Sequence, residues 1–88
     1  MIEREVTIVN RLGLHARPAA QLVQRASKFD AEIKLKRFNL EVNAKSIMGV
    51  MMLAAEMGSK IIIIAEGPDE KEAIEAIIEV INSKFGEE

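Results

Sequence analysis

The sequence predicts an α/β fold of the α+β type: an open-faced β-sandwich of order βαββαβα, in which three helices cover one face of a four-stranded antiparallel sheet. Alternation of apolar and polar residues near the N-terminus and in mid-chain marks strands with one wet face. An apolar stripe at helical spacing marks a C-terminal helix. Turn residues separate these segments within 88 residues, leaving room for one domain over residues 1–88 and for no linker, repeat or low-complexity stretch.

In chain order, Ile2, Val6 and Ile8 fall on one side of a strand and Glu3, Glu5 and Thr7 on the other, so strand one is expected over Ile2 to Val9. Asn10 to His15 carries turn chemistry around Gly13. Pro18 then stands near the start of a run whose Ala19, Leu22, Val23 and Ala26 repeat at helical spacing, predicting a helix over roughly Ala16 to Lys28. Ile33 and Leu35 alternate with lysines, and Phe38, Leu40 and Val42 alternate with polar residues. Two short strands should therefore meet near Arg37 to Asn39, with Asn39 suited to a left-handed turn.

Ser46 reads as the N-cap of a short helix containing Ile47 to Leu53, terminated through Gly58, and Met52, Leu53 and Ala54 are expected in the core. Strand four is expected at Lys60 to Glu66. Asp69 and Glu72 resemble a capping box, and Ala73, Ile74, Ile77, Ile78 and Ile81 form the stripe of the last helix, which Gly86 ends.

Apolar residues make up 49% of the chain and charged residues 30%, the composition of a globular protein rather than a disordered one. The longest aliphatic run, Ile61 to Ala65, is far too short to cross a bilayer, and Met1 leads directly into a strand pattern, so no signal peptide or membrane contact is expected. With no cysteine and one histidine the chain builds neither disulfides nor a thiolate or multi-histidine metal site. The cytoplasm is the expected compartment. A net charge of -2 and only three aromatic residues, all Phe, argue against nucleic acid, including an RNA-binding α/β plait.

His15 is the one side chain suited to nucleophilic transfer near neutral pH, and it falls where a glycine loop enters a helix. The first turn of a helix offers backbone N–H groups without intrahelical acceptors, so the amides of Ala16 and Arg17 can face a phosphoryl group. Arg17 adds a positive, forked donor, and Pro18 sits where a missing N–H is harmless. A lone histidine at a helix start is more commonly a cap or surface residue. An independent phosphatase is disfavoured because no second acid or metal cluster accompanies it.

The run NRLGLHARPAA from Asn10 to Ala20 resembles the active-site signature of the HPr family, the histidine phosphocarriers of the bacterial phosphotransferase system. LEVNAKSIMGVMML, from Leu40 to Leu53, resembles the family's second signature, and the element order agrees over the whole length. The resemblance implies a carrier rather than an enzyme. His15 would be phosphorylated at one ring nitrogen by enzyme I, itself charged by phosphoenolpyruvate, and would pass the phosphoryl group to enzyme IIA-type domains for sugar uptake, with Arg17 assisting. No cofactor and no metal are implied, and a monomer is the default.

The resemblance also places partner docking on Ala20, Val23 and Gln24 of the first helix and on Ile47, Met48 and Met51 of the second, where methionines suit several partners. Arg17, Arg25 and Lys45 are expected to attract acidic faces. In part of the family a serine in the context of Ser46 is phosphorylated by HPr kinase/phosphorylase, which brings transcriptional regulators in as further partners; simple N-capping is the competing role. Met51 to Ala55 departs from the ending common in the sugar branch and also resembles HPr-like proteins of the nitrogen-related regulatory branch, whose output is phosphorylation-dependent protein binding.

Overall fold

Five consecutive aliphatic residues, Ile61 to Ala65, look featureless in the sequence, yet in the computed structural model, which describes residues 1–87, they alternate between two faces of a central strand. Ile61, Ile63 and Ala65 are wholly buried, while Ile62 and Ile64 look out on the opposite, open face. The elements are β1 (Ile2–Thr7), α1 (Ala16–Ala26), β2 (Glu32–Arg37), β3 (Leu40–Asn43), α2 (Ile47–Met52), β4 (Lys60–Glu66) and α3 (Glu70–Asn82), then a 3-10 turn at Lys84–Gly86. This is the expected order βαββαβα.

The sheet runs β1-β4-β2-β3 and every neighbouring pair is antiparallel. Its register brings like faces together: Val6 lies opposite Ile61, Leu35 opposite both Ile63 and Val42, and Ile33 opposite Ala65. One face is thereby apolar in β3, β4 and β2 as far as Leu35, and is interrupted in β1 only by the exposed Arg4, opposite Ile63. The helices close it with Ala19, Leu22 and Ala26 from α1, Val50 from α2, and Ala73, Ile74, Ile77 and Ile81 from α3. The other face carries charge, including Lys34 with Glu41 at 3.4 Å and Lys60 with Glu5 at 3.8 Å. Among the described residues no helix is long and apolar enough to cross a membrane.

Several local expectations are corrected. β1 ends at Thr7, although the Ile8 amide still donates to the Ser59 carbonyl at 2.9 Å. α1 stops at Ala26, and Ser27 caps it. The left-handed residue of the β2–β3 turn is Phe38, at φ 56°, not Asn39; Phe38 is exposed and its ring lies under the Arg37 guanidinium at 4.9 Å. α2 ends before Gly58 is reached. Ala54 turns the chain at φ 48°, and the Arg37 side chain donates to the Leu53 and Ala54 carbonyls at 3.0 Å each, satisfying acceptors at the helix end.

Of the three residues expected in the core after α2, Leu53 is buried, whereas Met52 and Ala54 are exposed. α2 is only six residues long, so one short apolar face, centred on Val50, reaches the core. In α3, Val80 joins the buried stripe and Ile78 is only half-buried. The helix ends at Asn82, with the chain continuing through the short turn to Gly86.

Asp69 does not cap α3 with its side chain. Its carboxylate instead accepts from the amides of Asp30 and Ala31, both at 2.8 Å, and so ties the loop after α1 to the start of α3. The Asp30 amide, with smaller help from the Ala31 amide, its own backbone and the Lys45 charge, outweighs desolvation and holds the carboxyl below its ordinary value of 3.8. A depressed carboxylate contributes stability above its unfolded value and loses it as pH falls through the folded one.

Ile77→Ala should therefore lower unfolding stability by about 2 to 5 kcal/mol in urea titration, since the side chain is wholly buried in the shared cluster. Asp69→Ala should destabilise at neutral pH, and the gap to the wild type in thermal melts should shrink as pH drops below 3.8.

Candidate functional site

The loop between β1 and α1 is held by its own polar groups before it presents anything to solvent. Asn10 is wholly buried and its Nδ2 donates to the Gly13 carbonyl at 2.8 Å, while the Gly13 amide donates back to the Asn10 carbonyl at 3.2 Å. The Leu14 amide donates to the Ala55 carbonyl at 2.8 Å, and the Leu14 side chain enters the core. Gly13 sits at φ 68°, where a Cβ would collide with the Ala55 carbonyl oxygen and come within 2.8 Å of the Glu56 Cα. Only glycine allows this approach.

The next residue, His15, is the N-cap of α1, in extended conformation at φ -75° and ψ -174°. Its carbonyl accepts from the Ala19 amide at 3.0 Å, starting the helix, but its side chain makes no capping bond. The imidazole, 38% exposed, is therefore available for other work. Among the described residues the Ala16 and Arg17 amides have no acceptor, and no acidic residue occupies the first turn of α1. Arg17 is exposed beside them, and Pro18 and Ala19 turn inward.

Sequence reasoning missed Glu87. Its carboxylate lies 3.0 and 3.2 Å from His15 Nε2, and Asn10 Nδ2 donates to it at 3.1 Å. Desolvation raises the Glu87 carboxyl, but hydrogen bonds from His15 and Asn10 and the charges of His15 and Arg17 together hold it below its ordinary value. A carboxylate only accepts, so the ring proton of the neutral imidazole is assigned to Nε2 and the lone pair to Nδ1. To the amides and Arg17 expected at this site the structure thus adds a carboxylate. No spacing rule pairs residues 72 positions apart, and Asn10 read merely as a turn residue.

The other singled-out residues fall on two neighbouring helices. On α1, Ala20 and Val23 are half-buried and Gln24 is exposed; on α2, Ile47, Met48 and Met51 are exposed, Met48 at 70%. α1 packs against α2. Ser46 caps α2, its Oγ accepting from the Gly49 amide at 3.1 Å. Lys45 is engaged rather than free, donating to the Phe29 carbonyl at 2.7 Å. Among the described residues no three side chains cluster to hold a metal ion.

The family described as PTS HPr component phosphorylation site matches residues 2–83. Phosphocarrier protein HPr of Treponema pallidum is 52% identical over 88 residues, the full length of both chains. That of Cupriavidus necator is 51% identical over 87 residues, covering 99% of this chain and 98% of the relative. A solved structure of HPr-C-His from Thermoanaerobacter tengcongensis superposes with a TM-score of 0.96 at 53% identity, covering 100% of this chain and 99% of that one. With nearly every residue from β1 through α3 inside the match, the chain belongs to the HPr family of the phosphotransferase system, whose members are phosphoryl carriers rather than enzymes.

Proposed function

We propose that His15 is the residue that carries the phosphoryl group, accepting it from enzyme I and passing it to enzyme IIA-type domains in a cytoplasmic relay for sugar uptake. The observation that carries this reading is the half-exposed imidazole at the head of α1, with its Nε2 engaged, its Nδ1 left to attack, and two backbone amides without acceptors beside it.

On this reading the Nδ1 lone pair attacks phosphorus on the donor's phosphohistidine, and the donor P–N bond breaks with its electron pair returning to the donor ring. The phosphoryl oxygens move toward the Ala16 and Arg17 amides, which the helix backbone holds in place before the transfer, and the exposed Arg17 side chain adds its positive charge beside them. Onward transfer reverses the step, with a nucleophile on the IIA domain attacking and the His15 ring leaving. The same local geometry serves both directions because donor and acceptor each complete the site from across an interface.

Docking on this reading uses the half-buried Ala20 and Val23 and the exposed Gln24 of α1 with the exposed Ile47, Met48 and Met51 of α2, a mostly apolar surface that a partner can cover and release. Ser46 stands at the head of α2 within that surface, where a phosphate would add about two negative charges and repel acidic partners without unfolding the helix. HPr kinase/phosphorylase would be its writer and transcriptional regulators its readers.

Intact-mass measurement after incubation with enzyme I and phosphoenolpyruvate should show one acid-labile phosphoryl group on the wild type and none on His15→Ala, with both melting alike. Uptake by the folded variant would refute the assignment. Arg17→Ala should fold normally and still be phosphorylated, but stopped-flow transfer should slow by up to about 100- to 1,000-fold, because one positive donor to the transferring group is gone.

A further inference from the structure

We infer that Glu87 is a positioning residue for His15: its carboxylate fixes the ring proton on Nε2 and neutralises the charge the ring acquires when phosphorus bonds to Nδ1. This rests on the proposed role of His15 as phosphoryl acceptor. The carboxylate contacts Nε2 through both oxygens, at 3.0 and 3.2 Å, and only 15% of the Glu87 side chain is exposed. Its placement does not depend on the imidazole alone. Asn10, itself wholly buried and tied to the Gly13 carbonyl, donates a second hydrogen bond to the same carboxylate.

The consequence follows from charge bookkeeping during transfer. The attacking ring keeps its Nε2 proton while Nδ1 shares its lone pair with phosphorus, so the ring moves from neutral toward imidazolium. A carboxylate already seated against Nε2–H stabilises that change more than it stabilises the resting ring, which is the condition for speeding a step. The arrangement parallels the carboxylate that orients the histidine of a hydrolytic triad and stays ionised throughout. The proton stays on Nε2, and no atom leaves or enters other than the phosphoryl group.

Glu87 lies on the ring edge opposite Nδ1, so the incoming phosphoryl and the carboxylate occupy different sides of the imidazole. The positive groups of α1 then serve the phosphoryl oxygens, and Glu87 serves the ring. Arg17 is near enough for its charge to act on Glu87, which links the two sides electrostatically.

The test uses the full chain, labelled with 15N in histidine, in three forms: wild type, Glu87→Ala and Glu87→Gln. Long-range proton–nitrogen correlation spectra in alkaline buffer should show a single Nε2–H tautomer in the wild type and a mixture in Glu87→Ala. Glu87→Gln, which keeps an acceptor oxygen without the charge, should restore the tautomer but not the rate. In transfer from phosphorylated enzyme I, kcat should fall by at least about 10- to 100-fold in Glu87→Ala, the range for partners that orient metal-bound histidines, with KM little changed. A Glu87→Ala protein with the wild-type tautomer and wild-type kcat overturns the inference while leaving His15 as acceptor. A wild-type protein that takes up no phosphoryl overturns the reading of His15 itself.

Discussion

The site hangs on one backbone hydrogen bond, from the Leu14 amide to the Ala55 carbonyl, and on the glycine before it that lets the two strands of chain approach. Leu14 is buried on one side of this clamp and His15 begins α1 on the other. A short loop whose ends are fixed by a core side chain and a helix start has little freedom left, so the imidazole inherits the rigidity of the sheet and of α1. Asn10 reinforces the same loop from within, and its spare donor reaches Glu87. The clamp therefore also decides where the carboxylate meets the ring.

Three further polar ties work at the ends of helices, where backbone groups lack partners. Arg37 covers the carbonyls after α2, Lys45 the Phe29 carbonyl after α1, and Asp69 the amides of Asp30 and Ala31. Each links a helix end to a distant segment, so the helices are fixed to the sheet by burial along their length and by charge-assisted bonds at their ends. A helix of six residues such as α2 is marginal alone. Its seating by Val50, the Ser46 cap and Arg37 lets Ile47, Met48, Met51 and Met52 stay exposed without the helix fraying.

The fold was legible because its period signals are unambiguous. The alternation of β1 and β2, the α3 stripe and the Ser46 cap each reflect a local rule, and each appears in the structure. What misled were positions where tertiary contacts override local preference. Asn39 is the better left-handed residue by itself, but the register that pairs Arg37 with Leu40 places the turn's positive φ at Phe38, whose ring stacks with Arg37. Asp69 has a capping residue's chemistry and spends it on another loop. His15 was legible as a motif and a helix boundary, whereas Glu87 reaches it only through the folding of the whole chain.

A carrier differs from a receptor in needing to let go. A site made only of amides and arginine would hold the phosphoryl group in the ground state as firmly as in transit, deepening a well from which the next acceptor must lift it. On the proposed role of His15, a carboxylate against the far nitrogen changes that balance, because it acts on the ring and not on the phosphoryl oxygens, and repels them as a like charge from across the ring. On that same proposed role, the phosphorylated state is supported through the imidazole and opposed through space.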